Sequence, residues 1–235
     1  MKVEIWSDVV CPWCFIGKRR FEAALERFEH RDDVEVVWRS FELDPSAPTT
    51  GTPGGQTERL AAKYGTTLDG ARQMQRRVAD AAAGEGLDFN MDVAVPANTV
   101  DAHRVIHLAQ GAGLQAAMKE RLLKAHFTDG EAVGETDTLV RLATEVGLDA
   151  GAVRSMLDGD ELTDAVRSDE SEARALGISG VPFFVIDRRY GVSGAQPSEH
   201  LLEALQTAWA DSHPLAMVTS GSSDAEACGP DGCAI

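Results

Sequence analysis

Three shortages bound what this chain can be. Basic residues are few: 22 Lys and Arg stand against 38 Asp and Glu, a formal charge of -16. Nucleic acid and anionic membrane surfaces therefore repel the chain, and the sequence offers no local basic patch to offset this, so neither is expected as a partner. Long apolar runs are missing. No window approaches ~18 consecutive apolar residues, and the strand pattern that begins at Val3 leaves no room for the regions of an export signal. A cytoplasmic location is expected. Cysteine is scarce as well, with four residues arranged as two close pairs, Cys11/Cys14 and Cys228/Cys233. Without an export signal, such pairs are expected to be reversible redox pairs rather than structural bridges. Cys233 is third from the end, so Cys-Ala-Ile is not a prenylation box. No H-E-x-x-H arrangement occurs. His103 and His107, four apart on one helix face, lack the intervening carboxylate and are expected to be core or surface histidines, with no metal.

What is present is ample for a packed interior, with 235 residues of which 43% are hydrophobic. Val3-Glu4-Ile5-Trp6-Ser7 alternates like a strand, Asp8-Val9-Val10 turns, and Phe21, Ala24, Leu25 and Phe28 recur at helix spacing. Val34 to Phe41 reads as a second strand, and a crossover helix between the two makes them parallel. Leu43 to Gln56, rich in Pro, Thr and Gly, reads as a loop leaving the sheet. From Thr57 to Gly177 the periodicity is helical, and glycine stops divide it into about seven helices. Asn98, Thr136 and Asp149 are expected caps, and only Leu87 to Pro96 looks extended. The charge run Asp164 to Arg174 is expected to be a solvated helix face. Strand pattern returns at Val181 to Asp187 and Tyr190 to Gly194 as a hairpin, and Ser198 is expected to cap a last helix carrying Leu201, Leu202, Leu205 and Trp209 on one face. The order predicts an α/β fold: a thioredoxin-like core (1–44 and 178–212), a large helical insertion (57–177) and a flexible tail (213–235).

The motif around which this order turns is Cys11-Pro12-Trp13-Cys14, placed where a strand gives way to a helix. There the free N–H groups and positive dipole end favour thiolate over thiol. Cys11 is expected to present its sulfur outward and Cys14 to lie one turn inside, a separation a disulfide can close. A zinc half-site is the rival reading, weakened by the strand that feeds the motif. Asp8 either relays protons to the inner thiol or closes the turn before the helix. Trp13 and Phe15 are candidates for an apolar rim, with Phe15 equally suited to the core. Pro182, poorly suited to a buried strand, is expected to form a cis turn against the dithiol, leaving the Val181 backbone free for a substrate strand. Cys228-Gly229-Pro230-Asp231-Gly232-Cys233 permits a tight turn joining two sulfurs. Its linker spans about 20 Å r.m.s., comparable to the ~18 Å radius of a compact chain of this size, so a second redox pair exchanging with the first is within reach.

These residues resemble the DsbA family, and within it the cytosolic FrnE-like branch. The resemblance rests on Ser7 to Cys14, on Asn98-Thr99-Val100-Asp101-Ala102-His103-Arg104, on Gly180 to Val185 and on Val192-Ser193-Gly194-Ala195-Gln196-Pro197. It implies a thioredoxin fold with a helical lid, Cys11 as the attacking cysteine, Cys14 as its partner, a cis peptide before Pro182, and thiol-disulfide exchange on protein or small thiols. The FrnE-like branch also includes members with a C-x4-C tail. Trp13 stands where the periplasmic namesake carries His, which removes one donor to the thiolate, so a strong oxidant is not implied. Two other readings remain open: a glutathione-dependent transferase or isomerase of the kappa or 2-hydroxychromene-2-carboxylate type, with glutathione as co-substrate or a small aromatic substrate, and a non-enzymatic chaperone or pathway partner. No bound cofactor is expected.

Overall fold

A computed structural model describes residues 1–49 and 55–214. The tail pair Cys228/Cys233 lies outside the described residues. The sheet has four strands in the order β2-β1-β3-β4. Strand β1 (Lys2–Ser7) pairs in parallel with β2 (Glu35–Ser40), and antiparallel with β3 (Phe183–Ile186), which in turn pairs with β4 (Tyr190–Ser193). Ile5 sits opposite Trp38 on one side and Phe184 on the other. Being central, β1 is buried on both faces, and even Glu4 is enclosed, its carboxylate held by Arg39 and Arg188.

Helix α1 (Pro12–Glu26) joins β1 to β2, as the parallel pairing requires. It packs beside the last helix, α9 (Ser198–Ser212), and its Phe21 stacks on Phe184 at 5.5 Å. Between β2 and β3 the described residues build seven α-helices: α2 (Gln56–Tyr64), α3 (Leu68–Gly84), α4 (Val100–Gly111), α5 (Gln115–Lys124), α6 (Thr136–Glu145), α7 (Ala150–Asp158) and α8 (Thr163–Ala175). A π-helical turn, Ala125–Asp129, extends α5. At the outer edge of β2, Gln115 accepts from the Trp38 N–H and donates to the Trp38 carbonyl, both at 3.0 Å, as a strand neighbour would.

Several local expectations change. Asp149 caps α7, accepting from the Ala152 N–H at 2.8 Å, and Asn98 accepts from the Val100 N–H at 3.0 Å at the start of α4, although Thr99 intervenes; Thr136 and Ser198 are the first residues of their helices rather than caps. Residues 87–96 form no strand: 91–93 make a turn and the rest is irregular. The run Asp164 to Arg174 is a solvated face only in part, with Asp164, Arg167, Ser171 and Arg174 exposed. Asp169 and Glu170 are buried, because α8 lies on the sheet and Asp169 takes the Ser40 N–H at 2.8 Å and Arg39 at 2.9 Å. A charge pattern by itself does not distinguish a carboxylate facing water from one facing a buried arginine.

Candidate active site

Strand β1 ends at Ser7, and the next three residues turn so that Cys11 becomes the N-cap of α1, with Pro12 in the first turn where its missing N–H costs nothing. The Cys14 N–H returns to the Cys11 carbonyl at 3.0 Å, and the Cys11 N–H to Asp8 at 3.4 Å. No acidic side chain occupies the first turn of α1, so the positive end of the helix is left to the cysteines. Both thiols are free and both are buried. The expectation of an outward sulfur is therefore corrected: Cys11 is only 4% exposed. The cause is the segment opposite. The Val181–Pro182 peptide is cis, and the Val181 carbonyl accepts from Cys11 Sγ at 3.5 Å. That carbonyl is engaged by the thiol rather than open to a partner strand.

Burial first, and then contact with Cys11, push the Cys14 thiol well above the ordinary cysteine range. Trp13 is 41% exposed and marks the mouth of the site. Phe15 is buried in a cluster with Ile16, Leu123 and Phe127, so it belongs to the core.

Beneath the thiols lies a group of ionisable side chains that the motifs do not announce. Asp8 is fully enclosed; one oxygen accepts the Leu43 N–H at 2.8 Å and the other lies 3.4 Å from His103 Nε2. Burial alone would raise its pKa, but His103, the Leu43 amide and Lys119 together lower it, so Asp8 is a carboxylate. Burial holds His103 neutral against the pull of Asp8. Lys119, on α5, is 1% exposed, with its ammonium 3.4 Å from the Ser7 carbonyl. Burial brings its pKa down to about 8, while the field of Cys14, Asp8 and Cys11 opposes the fall. In the π-helical turn, His126 is buried with neither ring nitrogen paired, and burial pushes its pKa down to about 4. The Asp8 side chain therefore holds Leu43 rather than the turn before α1, whose bond comes from the Asp8 backbone carbonyl, and it lies near His103 and Lys119.

Lys119 and His126 had one signal in the sequence: they share α5 and its extension with Met118, Leu122, Leu123 and Phe127, residues of a buried face. His103 and His107 take separate partners. His107 Nε2 lies 3.0 Å from Ser40 Oγ and 3.1 Å from Asp169, on the far side of β2 from Asp8. Among the described residues no group of three or more His, Cys, Asp or Glu is arranged to hold a metal ion.

One more residue shapes the site. A Cβ on Gly17 would stand 2.8 Å from Pro182 Cγ, inside contact distance, so only glycine lets α1 approach the proline this closely. Arg20, one turn on, donates to the Ala195 carbonyl and to Glu85, each at 2.6 Å, tying α1 to the turn after β4 and to the end of α3.

Residues 2–206 match the DSBA-like thioredoxin domain. The chain belongs to this family. It is 31% identical over 188 residues to the uncharacterised protein YwbO of Bacillus subtilis, covering 78% of this chain and 86% of that one. Among solved structures it resembles a probable DsbA oxidoreductase from Streptomyces coelicolor, with 47% identity, a TM-score of 0.86 and coverage of 100% and 99% of the two chains. The cytosolic disulfide reductase DsbM from Pseudomonas aeruginosa with GSH shares the fold at 19% identity, TM-score 0.63, over 88% of this chain and 98% of that one. As a member of the DsbA-like family the chain carries the family's thioredoxin fold with a helical insertion, and its chemistry is thiol-disulfide redox chemistry. No described helix is long and apolar enough to cross a membrane.

Proposed function

We propose that this DsbA-like protein exchanges disulfides with protein or small-thiol substrates through Cys11 as nucleophile and Cys14 as resolving thiol. The observation that carries the reading is the proximity of two buried thiols to a buried ammonium and a carboxylate. Cys11 lies at the helix start against Val181, Cys14 lies one step deeper, and Lys119 with Asp8 lies below. As thiolate, Cys11 attacks one sulfur of a substrate disulfide, the S–S bond breaks, and the departing thiolate takes the electron pair and a proton from solvent. Cys14, once deprotonated, attacks Cys11 Sγ and releases the second substrate thiol, so the substrate is reduced and Cys11–Cys14 oxidised. A thiol so raised by burial needs a nearby acceptor for its proton. Asp8, a carboxylate kept ionised by Lys119 and His103, is the acceptor this reading assigns, reached through a water.

The two buried thiols favour this reading over a glutathione-activating isomerase, where a single nucleophile suffices. Glutathione remains a candidate co-substrate, since the DsbM structure was solved with GSH. The tail pair Cys228/Cys233 is proposed to exchange with Cys11; a disulfide between Cys11 and either tail cysteine, trapped in Cys14→Ser, is the expected product, and free tail thiols throughout would rule it out. For the main reading, insulin reduction and refolding of scrambled ribonuclease are expected to vanish in Cys11→Ser. Activity intact in that variant would leave the non-enzymatic partner reading in its place.

A further inference from the structure

The insertion contains a cleft that the exchange chemistry does not use. It has a volume of about 390 Å³, within the range that accepts small ligands, and lies between one face of α3 and residues 89–92. Arg72, Gln75 and Arg76 form one wall, and Phe89 and Met91 form the other. Asp92 is the single carboxylate in the lining, so the cleft is net positive in a chain of formal charge -16.

The cleft arginines differ from those that tie the elements of the fold together. Arg19, Arg20, Arg39, Arg121 and Arg188 are each tied to carboxylates. Arg76 makes no ion pair among the described residues, and Arg72 has only an exposed contact to Asp69 at 3.6 Å, one turn back on its own helix. Two like charges at i and i+4 repel each other along a helix, which disfavours this face unless an anion lies on it.

The cleft also adjoins the redox site. Glu85, just past the end of α3, is bound to Arg20, while Val78, Ala81 and Ala82 of α3 share an apolar cluster with Phe15 and Ile16, so α3 runs back along α1 toward its start; Phe89 stacks on Phe15 at 5.8 Å. Phe89 lines the cleft with Arg72 and Arg76, and Phe15 directly follows Cys14. Arg76 and Arg72 lie farther back along α3 than Val78, toward the start of α1.

We propose that this cleft binds the carboxylate of a small disulfide whose aromatic or apolar body lies on Phe89, which brings its sulfur to Cys11. This rests on the oxidoreductase reading above and names the substrate class it serves. The chemistry is a single exchange: Cys11 displaces one thiolate from the bound disulfide, Cys14 displaces the other, and the protein ends oxidised by two electrons while two ligand thiols are released.

The test uses the full chain, pre-reduced, in a Cys228→Ser/Cys233→Ser background so that only Cys11 and Cys14 react. Single-turnover rates are measured with 5,5′-dithiobis(2-nitrobenzoate), an aromatic disulfide with two carboxylates, and with neutral 2,2′-dithiodipyridine. In Arg72→Gln/Arg76→Gln the rate with the anionic disulfide is expected to fall about tenfold or more while the neutral one stays within about twofold, and raised salt should reproduce the loss in the parent. Arg77→Gln, which removes the same charge outside the cleft lining, is expected to change neither. No selective loss with the anionic disulfide, or an equal loss in Arg77→Gln, overturns the proposal. If both disulfides react equally well in Cys11→Ser, it is the oxidoreductase reading that fails.

Discussion

The thioredoxin-like core and the helical insertion meet at Cys14 and supply different things. From the core come the sulfurs, the helix start and the Val181–Pro182 segment, all groups that act by shape and by backbone dipoles. From the insertion come His103, Lys119 and His126, all buried and all set around the one carboxylate, Asp8, that the core contributes. The difference teaches that the insertion is more than a cover. It makes the space under the dithiol both dry and charged, and in such a space a single ammonium changes thiolate stability far more than it does in water.

The largest expected effect falls on the core side. Cys14→Ser should reduce turnover by about 10³-fold or more while leaving Cys11 able to attack, so a mixed disulfide accumulates and is seen by mass spectrometry. Rapid release of that intermediate would remove Cys14 from the resolving role.

The next tests the insertion. Lys119→Met keeps the volume and removes the ammonium, and it is expected to slow resolution by about 10–100-fold near neutrality, the range of one lost electrostatic group. The sign of its pH dependence follows from its lowered pKa: Lys119 carries its charge below about 8 and loses it above. The parent should therefore show an inflection near pH 8 in the resolution rate, absent from Lys119→Met; an identical profile would confine Lys119 to packing.

A smaller effect compares two helical glycines. Gly17→Ala places a methyl against Pro182 and should slow exchange by about threefold to tenfold, an effect of about 1 kcal/mol on the barrier. In Gly84→Ala nothing lies within 4 Å of the new Cβ, and alanine's helix preference should raise stability by up to about 1 kcal/mol with no change in rate. Stopped-flow exchange and thermal melts on both separate the contact with Pro182 from simple helix propensity, and equal behaviour in the two would dismiss Gly17.

The smallest concerns acid stability. Because Asp8 is lowered in the folded state, its contribution is present above the unfolded carboxylate value of about 3.9 and is lost as pH falls through the folded one. Asp8→Asn should flatten the decline of stability below about pH 4, as followed by urea melts; an unchanged acid limb would mean other carboxylates govern it.

Much of the core was legible because its signals are local. Alternation marked Val3 to Ser7, β-branched and aromatic residues marked β2 and β3, and Pro182 stood out as a residue a buried strand does not tolerate. Glycine stops divided the insertion into the right number of helices, since a residue in left-handed conformation ends a helix whatever surrounds it; Gly65, Gly86, Gly113 and Gly130 all have positive φ. The failures share a cause. The burial of Asp169 and Glu170, the inward turn of Cys11 and the enclosure of Lys119 each depend on a partner far along the chain: Ser40, Val181 and Ser7.

The amino-acid order alone therefore determined the dithiol, its place at a helix start, the parallel strand pair and the helical nature of the middle, since each depends on residues within a turn or two. Tertiary structure decided which ionisable groups lie near the sulfurs, that Arg76 lines a cleft with Phe89, and how closely Gly17 lets Pro182 approach. Burial and electrostatic environment depend on distance in space, and residues such as Asp8 and Lys119 become neighbours only when the helical insertion closes on the sheet.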